Sequence, residues 1–174
     1  MKHPKNILIS QEQIQQRIAE MGEEISRDYH GKKPVMVGVL RGSFVFLADL
    51  IRSISIPIEV DFISVASYGN AKTSSGVVRL VQDLSTNIQD RDVILVEDIV
   101  DTGLTLSYLI DNLKTREPKS LSLCSFLDKH EKRKVKVPLK YVGFKIPDKF
   151  VVGYGLDHAQ HYRNLPYIGW VEEE

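Results

Sequence analysis

The sequence has one cysteine, one tryptophan, no net charge and no apolar run long enough to cross a membrane. Each shortage excludes something. With Cys124 alone, the chain can form no internal disulfide and no cysteine-based zinc site, which fits a reducing cytosol. Cys124 lies in the apolar run LSLCSFL and is expected to be a small core residue rather than a nucleophile. Lys+Arg and Asp+Glu each number 23, so no net field favours a nucleic acid or an anionic membrane. The opening MKHPKNILIS has neither the apolar core nor the cleavage pattern of a secretory signal. A soluble, cytoplasmic protein is expected, with no nucleic acid and no membrane as partner.

What is present is a globular composition. Of 174 residues, 43% are hydrophobic and 26% charged, enough for one domain with a real core. No internal repeat or linker interrupts it. The stretch DVILVEDIVDTGLTL, residues 92–106, carries the densest chemistry. Val93–Val96 is a short, β-branched apolar run and predicts a buried strand. Glu97, Asp98 and Asp101 follow as an acidic loop, then the small turn Thr102-Gly103. Leu106, Leu109, Ile110 and Leu113 recur at i, i+3, i+4, i+7, the spacing of one helix face. Strand, acidic loop and helix in that order place the acids at a strand's carboxyl end, where open parallel sheets bind ligands.

Around that stretch the chain alternates strands and helices. Ser10 with Gln13 forms a capping-box pattern, and Ile14, Ile18, Met21 and Ile25 make the following helical stripe. Val35–Leu40 predicts a second buried strand, leading into Arg41-Gly42-Ser43 and a helix with Phe44, Leu47, Ala48 and Ile51 on one face. Residues 58–66 and 77–81 read as strands joined by the polar segment SYGNAKTSSG, a candidate lid. Residues 121–127 form a further strand, ending at Asp128-Lys129; the basic run KHEKRKVK reads as a solvated turn apart from Lys129. Short strands at 141–144 and 150–154 and the two chain ends look like an added cap. The expected fold is α/β, a mainly parallel twisted sheet flanked by helices. One domain is expected over 1–174, with a core of about 10–137 and a hood segment of about 138–174, the hood being formed by both chain ends.

The loop at 97–105 lacks a Walker lysine. A helix start offers free N–H groups and a favourable dipole to an anion, and Thr102 and Thr105 add hydroxyls. Carboxylates accept from a sugar diol and attract Mg2+. A sugar phosphate with a metal satisfies every group. A phosphoreceiver-type domain or another metal-dependent α/β enzyme would also place acids here, and Asp101 could be only a helix cap. His158 and His161 beside Asp157 could suggest a metal cluster, but are expected to be surface residues.

Taken whole, VILVEDIVDTGLTL resembles the phosphoribosyl-pyrophosphate signature of type I phosphoribosyltransferases. Leu40-Arg41-Gly42, Ser67-Tyr68-Gly69, Asp128-Lys129, the segment IPDKFVVGY at 146–154 and Leu156-Asp157 resemble blocks of the hypoxanthine-guanine branch, in family order, so the likeness runs from about Val35 to Arg163. His130-Glu131 departs from the proline or small residue expected after Lys129.

The resemblance implies Mg2+-dependent transfer of phosphoribosyl from phosphoribosyl pyrophosphate to hypoxanthine or guanine, giving IMP or GMP and diphosphate. It implies Asp101 as general base. Thr102, Gly103, Leu104 and Thr105 would hold the 5′-phosphate, and Glu97 and Asp98 the ribose hydroxyls and the metal's water shell. Arg41, Gly42 and Arg163 would meet the diphosphate, and Asp157 a second Mg2+. Lys129 would contact the purine O6, Phe150 stack on the base, and the Val151 backbone read its edge. Ser67 and Tyr68 would close over the site. A homodimer or homotetramer is expected. The competing reading is a phosphoribosyltransferase-like RNA-binding regulator with weak or no catalysis.

Overall fold

The computed structural model describes residues 4, 6–68 and 77–171, with the backbone alone for Ser67, Tyr68 and Val77. Its centre is a six-stranded sheet in the order β4-β3-β2-β5-β6-β7. The strands are β2 (Val35–Leu40), β3 (Glu59–Tyr68), β4 (Val77–Gln82), β5 (Asp92–Val100), β6 (Ser120–Asp128) and β7 (Leu139–Lys145). Four pairings are parallel, and β3–β4 is an antiparallel hairpin at one edge. The segment 69–76 proposed as a lid lies outside the described residues, as does the acidic tail 172–174.

Strand alternation divides the core. Met36, Ile94, Val96, Cys124 and Phe126 point to one face and pack against α1 (Gln11–Asp28) and α2 (Phe44–Arg52). Val35, Val37, Val39, Val93, Leu95 and Leu123 point to the other, beneath α3 (Leu104–Lys114). Both faces are covered, as near-continuous apolar strands require. Cys124 is 1% exposed, and burial pushes its thiol far above the usual range, so it is a core residue.

Helix α1 starts as expected: Ser10 Oγ accepts from the Gln13 N–H, and Gln13 Oε1 accepts from the Ser10 N–H. Its stripe Ile14, Ile18, Met21 and Ile25 is buried. Helix α2 differs from expectation. Phe46, Leu47 and Leu50 face the core, while Phe44 and Ala48 are exposed. Nearly every residue of FVFLADLI is apolar, so the sequence contains no polar face to set the phase.

A second sheet, β1 (Asn6–Ile9), β9 (Ile168–Trp170) and β8 (Val151–Val152), forms a hood from both chain ends. The expected hood boundary at 138 is corrected. β7 pairs with β6 in the large sheet, so the hood segment starts after Lys145. Ile9, Val151, Tyr154, Leu156 and Ile168 join the core on the α1–α2 side. Phe126 and Tyr154 rings pack at 5.0 Å, and the Tyr154 hydroxyl donates to Asp49 on α2. The hood is thereby fixed over the carboxyl ends of β2, β5 and β6.

Candidate active site

At those strand ends lies a cleft of about 790 Å3, of a size suited to a nucleotide. β2 ends in Leu40-Arg41-Gly42, which forms one wall, and the Leu40–Arg41 peptide bond is cis. Gly42 is required by crowding: a Cβ there would lie 1.6 Å from Asp98 Oδ2. Ser43 turns its hydroxyl back to the Val39 carbonyl at 2.6 Å, which closes the turn.

β5 forms the floor. The expected acidic loop after Val96 is corrected, because the strand runs on through both acids to Val100. Glu97 pairs with Ser125, Ile99 with Leu127 and Val100 with Asp128. Glu97 and Asp98 are thus held by rigid strand backbone. Burial, then the neighbouring Asp98, pushes the Glu97 carboxyl well above the usual carboxylate range. Burial also raises Asp98, against the hydrogen bonds it accepts. Two adjacent carboxyls in this state favour a ligand that donates hydroxyls or brings a cation.

The true loop is short. Asp101 and Thr102 lead to Gly103 at φ +86°, a conformation suited to glycine, where a Cβ would approach the Val135 carbonyl to 2.7 Å. α3 then begins without a side-chain cap. The Leu104 N–H reaches Thr102 Oγ1 only at 3.4 Å. A smaller hollow of about 100 Å3, lined by Thr102, Gly103 and Thr105, sits at this helix start. Leu104 lines neither space. Oδ1 of Asp101 is buried without a hydrogen-bond partner among the described residues. Asp101 lines the cleft, and a buried carboxylate oxygen left without a partner there needs an explanation that packing does not supply.

Lys129, at the end of β6, is 7% exposed. Its Nζ stands 3.8 Å from Asp148 Oδ1, and Lys132 holds the same oxygen at 2.9 Å. One carboxylate shared by two ammoniums leaves Lys129 donors to offer the cleft. Phe150 is 38% exposed, with His158 edge-on at 5.2 Å, and Val151 lies beside it in the cleft wall. The exposed face of Phe150 is not core packing.

Asp157 and Arg163 close the far side and pair at 2.9 Å. Arg163 Nη1 also donates to the Gly155 carbonyl at 2.7 Å. Gln160 links this pair to Arg41, its Oε1 accepting from Arg41 Nη1 at 3.3 Å and Arg163 Nη2 at 3.4 Å, while its N–H donates to Asp157 Oδ2 at 2.8 Å. His158 and His161 bond through their backbones. Among the described residues no three His, Cys, Asp or Glu side chains converge on a metal position, so Asp157 does not join Glu97 and Asp98 in one ligand set.

The cleft thus gathers Arg41, Gly42, Glu97, Asp98, Asp101 and Thr105 with Lys129, Phe150, Val151, Asp157 and Arg163. Ser67 and Tyr68 end β3 opposite Val78 and Val77, and their side chains lie outside what is described. Leu156, beside Asp157, lines the cleft too, as do Val65, Ile99 and Lys132, which nothing in the sequence singles out. Arg133, read as part of a solvated run, is also misjudged: its side chain is 17% exposed and bonds Asp128 and the Asp101 carbonyl. After Lys129 the chain makes a short 3-10 turn at His130–Lys132.

Comparison with known proteins agrees with this geometry. A family model described as a phosphoribosyl transferase domain matches residues 7–159. The chain is 48% identical over 170 residues to the hypoxanthine-guanine phosphoribosyltransferase of Bacillus subtilis, covering 97% of this chain and 94% of that one. It is 50% identical over 173 residues to the hypoxanthine phosphoribosyltransferase of Salmonella typhimurium, covering 98% and 97%. The crystal structure of a Bacillus anthracis hypoxanthine-guanine phosphoribosyltransferase, with a HEPES molecule in its active site, superposes with a TM-score of 0.94 at 50% identity, over 98% of this chain and all of that one. With a nucleotide-sized cleft built from its signature strand, this chain belongs to the phosphoribosyltransferase family, in its hypoxanthine-guanine branch.

Proposed function

We propose that this chain salvages purines by transferring phosphoribosyl from phosphoribosyl pyrophosphate to hypoxanthine or guanine, giving IMP or GMP and diphosphate. The observation that carries the reading is one juxtaposition. A buried ammonium at Lys129, an open aromatic face at Phe150 and an orphaned carboxylate oxygen on Asp101 share one cleft beside an uncapped helix start.

Each residue then has a task. The amides of 102–105, with the Thr102 and Thr105 hydroxyls, hold the 5′-phosphate at the positive end of α3. Glu97 and Asp98 accept from the ribose 2′ and 3′ hydroxyls. Phe150 stacks on the purine, and the Val151 backbone reads its edge. Lys129 donates to O6. An ammonium has no acceptor, so a 6-amino group would leave it unpaired, which selects 6-oxopurines over adenine. As N9 bonds to the anomeric carbon and the bond to diphosphate breaks, the purine sheds a proton. Asp101 acts as the general base that takes it. Arg41 and Arg163, with the amides of the 41–42 turn, meet the departing charge. Ser67 and Tyr68 lead into the segment that would exclude water.

The donors fit Mg2+. Glu97 and Asp98 offer hard carboxylate oxygens in the cleft lining, and with no three-side-chain cage among the described residues the ion would keep waters and substrate oxygens, as Mg2+ commonly does. Asp157 would meet a second ion on the diphosphate. When bound, the metal neutralises the leaving group.

We further propose a cytoplasmic homodimer or homotetramer. Phe44, 45% exposed beside Ala48 on α2, supports an assembly that covers this face. No described residue among these favours the RNA-binding alternative. A spectrophotometric assay with phosphoribosyl pyrophosphate, Mg2+ and each purine tests the central reading. Hypoxanthine and guanine should turn over and adenine should not. Adenine used as readily as hypoxanthine would overturn the Lys129 assignment, and no turnover with any purine would overturn the function.

A further inference from the structure

The basic run after Lys129 contains a residue that the reaction scheme above does not use. Arg133 is 17% exposed at its side chain, although it lies among lysines in a short surface turn. Its Nη2 pairs with Asp128 Oδ1, on a carboxylate that is itself 8% exposed. Its Nε donates to the Asp101 carbonyl at 3.2 Å. Asp128 precedes the base-reading Lys129, and it pairs in register with Val100, which precedes Asp101. The guanidinium therefore bridges the ends of two adjacent parallel strands, each one residue from a side chain assigned to chemistry.

Backbone bonds reinforce the bridge. The Lys129 N–H donates to the Val100 carbonyl at 3.0 Å. The N–H groups of Lys134 and Val135 both donate to the Thr102 carbonyl, at 2.9 and 3.1 Å. Gly103 permits this closeness, since a Cβ there would stand 3.0 Å from Arg133 Cδ. The Asp101 carboxylate, by contrast, has an oxygen with no partner. With no partner to hold that oxygen, its position depends on the backbone that carries it, and among the described residues the side-chain bond to that backbone comes from Arg133.

We infer that Arg133 is a positioning residue: it fixes the Asp101 peptide, and through it the aim of the Asp101 carboxylate and the first turn of the 5′-phosphate loop. The inference rests on the proposed reaction. Only a planar guanidinium can meet the Asp128 carboxylate through one nitrogen and the Asp101 carbonyl through another. A lysine supplies the charge without the second directed bond.

The test compares Arg133→Lys and Arg133→Ala with the wild type. Melting temperature, kcat, and the KM for each substrate are measured, with and without added guanidinium chloride at millimolar concentration. Misplacement of a reacting group by an ångström can cost on the order of a hundredfold. Arg133→Lys should melt close to the wild type yet lose about tenfold or more in kcat, with the KM for the purine little changed. Arg133→Ala should lose more, and guanidinium should restore part of its kcat while leaving wild type and Asp101→Asn unimproved. Full kcat in Arg133→Lys would overturn the inference, because the ion pair alone would then suffice. So would a kcat in folded Arg133→Ala within twofold of wild type, or a loss that guanidinium does not repair. Wild-type protein inactive with every purine would instead overturn the reaction itself, so the two failures are distinguishable.

Discussion

Helices α1 and α3 begin in opposite ways. α1 satisfies its own N-terminus through the reciprocal Ser10–Gln13 pair. α3 starts at a left-handed glycine with no side-chain cap, although two threonines stand within reach. Capping is worth about 1 kcal/mol, so an uncapped start on a helix inside a folded core is a cost that stability does not explain. The proposed function gives the difference a purpose: α1 anchors the fold, while α3 would keep its donors for the 5′-phosphate. The acids around it follow the same division. Asp61, buried in β3, is fully employed by the N–H groups of Phe62, Ser85 and Thr86, at 2.8, 2.9 and 2.7 Å. Asp101 keeps an oxygen unemployed.

Changes at the α3 start should therefore act on catalysis, and changes at the α1 start on stability alone. The largest effect is expected from Asp101→Asn, with turnover reduced about a hundredfold or more at unchanged melting temperature. Near-normal kcat would remove Asp101 from the reaction. Lys129→Gln should lower the preference for hypoxanthine over adenine by roughly tenfold, the worth of a hydrogen bond to a charged group; an unchanged ratio of the two specificity constants would reject the O6 contact. Thr105→Val should raise the KM for phosphoribosyl pyrophosphate several-fold and leave the purine KM alone. Ser10→Ala should cost about 1 kcal/mol of stability, a few degrees in melting temperature for a chain of this size, with kinetics unaltered. If Ser10→Ala slowed the enzyme as Thr105→Val does, the contrast between the two helix starts would fail.

The smallest effect is a pH dependence. Glu97 titrates in the folded protein well above its ordinary value of 4.5. Between those two values the folded state binds more protons than the unfolded one. The associated stability is present below about pH 4.5 and is lost as pH rises through the folded value. Glu97→Gln removes the titration, so its melting temperature relative to wild type should climb as pH is raised from 5 to 8. A difference that stays flat with pH would contradict the burial of this pair.

How much of this was readable beforehand differs by element. The α1 start was legible because a capping box is a local pattern in four residues. The α2 face is not, because an almost uniformly apolar segment has no phase: Phe46 and Leu50 are buried and Phe44 and Ala48 exposed, while Leu47 and Ile51 do pack inward. Local sequence predicts that β5 ends at Val96, since carboxylates seldom belong to a buried strand. It continues because β6 pairs alongside as far as Val100, a long-range fact invisible in local sequence. Lys129, Phe150 and Asp157 came from resemblance, not from periodicity, and the structure places all three at one cleft. Arg133 is hidden in the sequence because a run of like charges predicts a solvated turn. The carboxylate that draws it inward, Asp128, could have been suspected from its place at the same strand end.

In the proposed reaction, residues 97–105 divide the labour, with binding groups and the reacting group as neighbours. Calorimetric titration of phosphoribosyl pyrophosphate with Mg2+ into wild type and Asp101→Asn measures that division. The predicted result is affinity equal within about twofold in a variant whose turnover has nearly vanished. Loss of binding in step with turnover would contradict the account, because Asp101 would then be part of the phosphate and sugar cradle and not the base.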